Sequence, residues 1–187
     1  AGYVSDGKRL FTATACARRG AAPIGEVGCA GIERLGGLGS AHPRKALDGV
    51  LSTGIGVALA AGQPTVVHIG DVALLHDQAA LTALVARRLP LTVVVTDNDG
   101  GAIFSFLPQA TQLPADRFEQ LFGTPHGTDL VALARAHGLG AIDVRDEAGL
   151  REAVDDPRVT LVRVRTTRTD NVAVHSRLNA AVAAAIA

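Results

Sequence analysis

The chain has no tryptophan and no methionine, and its aromatic content is one tyrosine and five phenylalanines in 187 residues. Aromatic anchors therefore cannot dominate the core, and Ala, Val and Leu must carry the packing. Charge of one sign is missing too. Eighteen basic side chains face 18 acidic ones, so no electrostatic case for nucleic acid or an acidic surface arises. Lysine is confined to Lys8 and Lys45, a bias toward arginine that reads as genome composition rather than function. No apolar run reaches the roughly 18–20 residues that span a bilayer, and no signal peptide is evident. The only cysteines, Cys16 and Cys29, have no histidine at zinc spacing. They read as free thiols, which places the protein in the cytoplasm.

What is present suits one domain of ordinary size, with 48% hydrophobic residues to build its core. The first residue is Ala rather than Met, as expected for a piece of a longer protein. Residues 1–46 read as an irregular segment of doubtful origin. They are rich in glycine and lack a sustained period, although Val27–Ile32 could form a short strand. From Leu47 the pattern becomes regular. A small-residue helix is expected at 52–61, strands at 65–69 and 91–96, and a helix at 75–89 between them. An irregular loop follows over 100–114. Helices are then expected at 115–122, 130–137, 147–154 and 171–186, with strands at 141–144 and 159–164. Strands alternating with helices predict an α/β fold, a parallel sheet flanked by helices.

The chemistry concentrates where two of these strands end. Gly70-Asp71 follows the run 65–69, and Asp97-Asn98-Asp99-Gly100-Gly101 follows the run 91–96, with 26 residues between Asp71 and Asn98. In a parallel sheet the carboxyl ends of neighbouring strands lie together, and ligands bind there. A hard cation such as Mg2+ takes oxygen ligands, commonly one or two carboxylates completed by phosphate and water. Asp71 would supply a carboxylate oxygen, Asn98 an amide oxygen and Gly100 its carbonyl. Gly70 would let the backbone approach a diphosphate, and the helix that follows would aim amide groups at it. The plainer alternative for Asp71 is a helix N-cap.

The spacing resembles the thiamine-diphosphate motif, a Gly-Asp followed by Asn-Asn, with Asp97 in place of the first Asn and Val72 in place of a Gly. Four stretches extend the resemblance: Leu47–Gly56, Gly70–Asp77, Asp97–Ser105 and Phe122–His126. With Asn171–His175, their order over residues 47–187 resembles the carboxyl-terminal diphosphate-binding domain of the MenD family. These are the 2-succinyl-5-enolpyruvyl-6-hydroxy-3-cyclohexene-1-carboxylate synthases of menaquinone biosynthesis. The resemblance implies a transferase that uses thiamine diphosphate and Mg2+ (or Mn2+) to decarboxylate 2-oxoglutarate and add the succinyl carbanion to isochorismate. It implies that Asp71, Asn98 and the Gly100 carbonyl hold the metal and that Gly70 and Val72 lie against the diphosphate. It also implies that Leu47 wedges the cofactor into its bent shape. Ile103 would line the cofactor pocket and Phe104 the substrate side. The family works as a homo-oligomer, and its activating glutamate sits in a separate pyrimidine-binding domain. No catalytic residue is therefore expected in this chain, and the chain alone is expected to be inactive.

The window His42–Gly49 lacks the Arg and two glycines of the family's pattern. Residues 1–46 are thus either divergent or an out-of-frame reading of the true segment, and the abrupt break near Leu47 favours the second. Neither Glu26 nor Glu33 has a context matching the activating glutamate. Two other functions remain open: the diphosphate-binding subunit of a two-subunit 2-oxoacid decarboxylase, and a non-catalytic α/β remnant. Among other polar candidates, His76 and Asp77 read as a first-turn pair or as loop-orienting residues. His126 reads as part of a turn or a substrate-side group, and His68 as a core histidine with a partner. Phe104 and Phe106 read as packing or as a pocket wall.

Overall fold

The computed structural model describes residues 9–12, 48–62 and 64–186. Leu47, both cysteines, Glu26, Glu33 and the candidate strand Val27–Ile32 lie outside the described residues. Five parallel strands form one sheet in the order β1-β2-β3-β5-β4. They are β1 Arg9–Thr12, β2 Thr65–Gly70, β3 Leu91–Asp97, β4 Ala141–Val144 and β5 Leu161–Arg165. Edge strand β1 pairs with the first four residues of β2. This strand lies within the segment whose sequence shows no sustained period, and none was expected there.

Strands β2 and β3 read as unbroken apolar runs because both faces of the sheet are covered. Val67, Ile69, Val93 and Val95 join one cluster, while Val66, Val94 and Val162 join another on the opposite face. Alternation along the pleat separates the two sets. The first cluster takes in helices α1 Val50–Ala61, α2 Asp71–His76, α3 Leu81–Arg87 and α6 Leu130–Ala136, through Leu51, Ile55, Leu74, Leu81, Leu84 and Leu130. The second is closed by α7 Glu147–Asp155 through Ala153 and Val154. His68 faces this second side and pairs with Thr96 Oγ1 at 2.8 Å. It is the partnered core histidine that the sequence suggests.

The glycines of α1 have separate roles. A Cβ on Gly54 would stand 2.6 Å from a Val67 methyl, so this glycine lets the helix lie close on the sheet. A Cβ on Gly56 would meet nothing within 4 Å.

The single helix expected at 75–89 is instead two helices, α2 and α3, joined by a 3-10 turn at Gln78–Ala80. The break falls at Asp77, whose carboxylate accepts from the Ser52 backbone N–H at 2.6 Å and the Ser52 hydroxyl at 2.8 Å. Asp77 thereby caps the first turn of α1 from another element and cannot serve an uninterrupted helix. Beside it, His76 Nδ1 lies 3.1 Å from Asp48 Oδ1. Both residues thus hold the start of α1.

The loop expected at 100–114 contains a 3-10 turn, Ala102–Phe106, and a short helix α4, Gln109–Gln112. The helix expected at 115–122 is α5 Ala115–Phe118 followed by a π turn at Glu119–Gly123. The last helix, α8 Arg168–Ile186, starts earlier than expected and has no buried residue. No helix among the described residues is long and apolar enough to cross a membrane.

Candidate functional site

Register fixes the site. Gly70 of β2 stands opposite Thr96 of β3, so Asp71 and the segment Asp97–Gly100 leave the sheet side by side. Asp71 is only 3% exposed, a burial that a carboxylate tolerates only when well hydrogen-bonded. Its Oδ1 accepts from Val72 N at 2.8 Å. Its Oδ2 accepts from Asn98 N at 3.1 Å and Gly100 N at 3.0 Å. Asp71 is the first residue of α2 and Gly70 is the N-cap, with no side-chain cap. The plain N-cap alternative for Asp71 is therefore wrong.

After Asp97 the chain must reverse. Asp99 and Gly100 both take positive φ, 59° and 127°. Asp99 N–H donates to Asp97 Oδ1 at 3.1 Å, closing a turn that an Asx side chain favours. A Cβ on Gly100 would sit 2.2 Å from the Gly123 carbonyl oxygen, so only glycine fits. The segment 123–128 is laced onto this turn. Gly101 N donates to the Gly123 carbonyl at 2.8 Å, and Asp99 Oδ1 accepts from His126 N at 3.0 Å and Gly127 N at 2.8 Å.

Three carboxylates, those of Asp71, Asp97 and Asp99, thus crowd one strand-end corner. Ligand atoms of Asp71, Asp97 and His126 all lie within 4.8 Å of one another. Burial pushes the Asp97 carboxyl above its ordinary range, and the neighbouring Asp71 charge adds to the rise. Such a corner favours a cation. A further sign is Asn98 Oδ1, which is buried and has no hydrogen-bond partner. A buried acceptor left unpaired is costly, and a metal ion would satisfy it. The Gly100 carbonyl accepts from Ala102 N at 3.0 Å, which leaves its second lone pair. A Cβ on Gly70 would meet nothing within 4 Å, leaving open space at the strand end.

The structure thus brings together Asp71, Asn98 and Gly100, with Gly70 and Val72 adjacent. Ile103 and Phe104 follow on the 3-10 turn, Ile103 half-buried and Phe104 39% exposed. Phe104 meets Phe122 edge-on at 5.9 Å between centroids, and Phe122 stacks on Phe118 at 5.5 Å. Leu47 is not described. Asp97 and Arg163, also at this corner, were not singled out as site residues from sequence, and His126, read as part of a turn or a substrate-side group, lies against Asp71. Arg163 is 3% exposed on β5 and reaches Asp129 Oδ1 at 3.1 Å and Asp97 Oδ2 at 3.8 Å. An arginine inside an apolar strand was the available signal. Between β3, β5 and the start of α8, a cavity of about 1020 Å³ opens beside Asp97, Asn98 and His126.

The chain is thus a parallel α/β sheet flanked by helices, with a buried carboxylate and an unpaired carboxamide oxygen at neighbouring strand ends, where ligands bind in this class. The chain belongs to the thiamine pyrophosphate enzyme family as its C-terminal TPP binding domain, whose profile matches residues 44–164. It is 46% identical over 143 residues to 2-succinyl-5-enolpyruvyl-6-hydroxy-3-cyclohexene-1-carboxylate synthase of Myxococcus xanthus, covering 75% of this chain and 24% of that protein. The protein of the same name from Chloroflexus aurantiacus is 42% identical, with 69% of this chain and 22% of the relative covered. The chain therefore spans about a quarter of the length of the curated relatives it matches. Among solved structures, benzoylformate decarboxylase from Polynucleobacter necessarius superposes with a TM-score of 0.55 at 23% identity, over 67% of this chain and 25% of that one. The Rhodococcus jostii thiamine diphosphate-dependent 4-hydroxybenzoylformate decarboxylase gives 0.52 at 22% identity, over 63% and 23%. These two likenesses concern the fold.

Proposed function

We propose that residues 47–187 form the diphosphate-binding half of a MenD-type synthase site, with Asp71, Asn98 and the Gly100 carbonyl holding Mg2+ or Mn2+ against the cofactor diphosphate. The observation that carries this is the buried, partnerless Asn98 Oδ1 beside a buried Asp71. Oxygen donors of these kinds suit a hard cation. When bound, thiamine diphosphate supplies the electron sink for decarboxylation of a 2-oxo acid. The work of this chain is binding and orientation. The amides of Asn98 and Gly100 hold the Asp71 carboxylate, Gly70 and Val72 would border the diphosphate, Ile103 would line the cofactor pocket and Phe104 the substrate side. The proposed substrates are 2-oxoglutarate and isochorismate, a reading supported by relatives that carry the synthase name. A pyrimidine-binding domain supplies the activating carboxylate, and the assembled enzyme is a homo-oligomer.

Calorimetry of thiamine diphosphate binding with and without Mg2+ tests the site. Asp71→Ala is expected to abolish the Mg2+-dependent binding, because it removes the charged ligand that ties the ion to the protein. Asn98→Leu is expected to act similarly. Unchanged affinity in Asp71→Ala would put the ion elsewhere. The isolated chain is expected to give no succinyl-transfer product even with both cofactors present, and a robust yield would overturn the division of labour.

A further inference from the structure

Asp71, Asp97 and His126 have the proximity of a ligand set, and distance alone would make His126 a third protein ligand. The other ring nitrogen decides otherwise. The backbone N–H of Thr128 donates to His126 Nδ1 at 3.0 Å. A nitrogen that accepts a hydrogen bond carries no proton, so the neutral ring holds its single proton on Nε2. That Nε2–H faces Asp71 Oδ2 at 3.3 Å, with Asp97 Oδ1 at 3.8 Å.

Resting on the cation-binding role proposed above, we propose that His126 is a positioning residue that donates from Nε2 to the Asp71 carboxylate and does not bind the metal itself. Ligation through Nε2 would need its lone pair and would move the proton to Nδ1. There it would confront the Thr128 N–H, donor against donor. The ring has little freedom to turn away. It is 14% exposed, and its own backbone N–H and that of Gly127 are tied to Asp99 Oδ1, in the same turn that presents Asn98 and Gly100.

The bond has a consequence for the carboxylate. Asp71 Oδ2 receives Asn98 N, Gly100 N and His126 Nε2, while Oδ1 receives Val72 N. Three donors fill Oδ2, and Oδ1 keeps the lone pair for a cation. Fixing one oxygen in this way aims the other, as groups behind metal ligands commonly do.

Long-range proton–nitrogen correlation of the histidine rings tests the tautomer directly, with His126 assigned by the signal lost in His126→Gln. The expected pattern is the Nε2–H tautomer, both without metal and with Mg2+ and thiamine diphosphate added. A ring protonated on Nδ1, alone or with Nε2, overturns the proposal. The measurement needs neither turnover nor metal, so it decides the role of His126 even if the cation site itself fails. Mn2+ titration in the presence of thiamine diphosphate supplies the second arm. Gln places an amide donor near the position of Nε2, and His126→Gln is expected to stay within about threefold of the parent affinity. His126→Ala is expected to weaken binding about tenfold or more, the range typical of lost outer partners. Equal losses in both variants, or no loss in His126→Ala, would also overturn it. Parent protein that binds no Mn2+ would refute the proposed function instead.

Discussion

Arg163 and Asp143 are register partners on neighbouring strands β5 and β4, and the arginine engages the carboxylate through both Nε and Nη2. The guanidinium holds the Asp143 carboxyl below its usual range. On its other side it reaches toward Asp129 and Asp97, so one buried cation links an edge strand to the strand-end corner. Replacing it with Met keeps the volume and leaves Asp97 buried without its countercharge. Arg163→Met is expected to cost about 2 kcal/mol, less than the ~3–5 kcal/mol of a fully buried broken pair, because Asp143 is partly solvated. Denaturant titration measures it, and a change within 0.5 kcal/mol would show that the network contributes little.

Asp77 caps α1 across a gap of 25 residues in sequence. Removing a cap costs about 0.5–2 kcal/mol. Asp77→Ala is expected to fall in the upper half of that range. Ser52→Ala, which loses the hydroxyl bond and keeps the backbone bond, is expected to fall in the lower half. Thermal and urea unfolding of the two variants and their double mutant give the coupling. Fully additive losses would show that the two residues do not act as a pair.

His68 is partly buried, and burial lowers its pKa from the ordinary value near 6.5. Above that value both folded and unfolded chains carry a neutral ring. As the pH falls below it, the unfolded chain takes up the proton first, so stability is lost down to the depressed folded value and then levels. His68→Gln keeps a polar partner for Thr96 and cannot titrate. Urea midpoints between pH 8 and pH 5 are expected to fall less steeply in the variant. Parallel curves would mean that other groups set the slope.

Gly54 and Gly56 are expected to respond oppositely to alanine. Gly56→Ala adds helix propensity in open space and should stabilise by roughly 0.5–1 kcal/mol. Gly54→Ala must displace Val67, which is fully buried, and should destabilise despite the same gain. A melting comparison of the two variants settles it.

Periodicity made the sheet legible because parallel strands covered on both faces read as solid apolar runs. The helix boundaries blurred where a side chain served a distant partner, and Asp77 is the clear instance. At the site, Asp71, Asn98 and Gly100 stood out because their spacing places them at two strand ends. Asp97 looked like a departure from a motif, and His126 like a turn residue or a substrate-side group. The meeting of His126 with Asp71 depends on the loop at 123–128 folding back across 27 or more residues, which no local pattern announces. Arg163 was hidden for a related reason, since three of its partners lie on other elements.

The clasp of Ser52 and His76-Asp77 makes two separated stretches of sequence one heritable unit. A new residue at 52 or 48 meets an old partner at 77 or 76. Among descendants of this domain, compensating changes should therefore arrive at these positions together. Grafting either stretch singly into a related domain should fail where transplanting both succeeds.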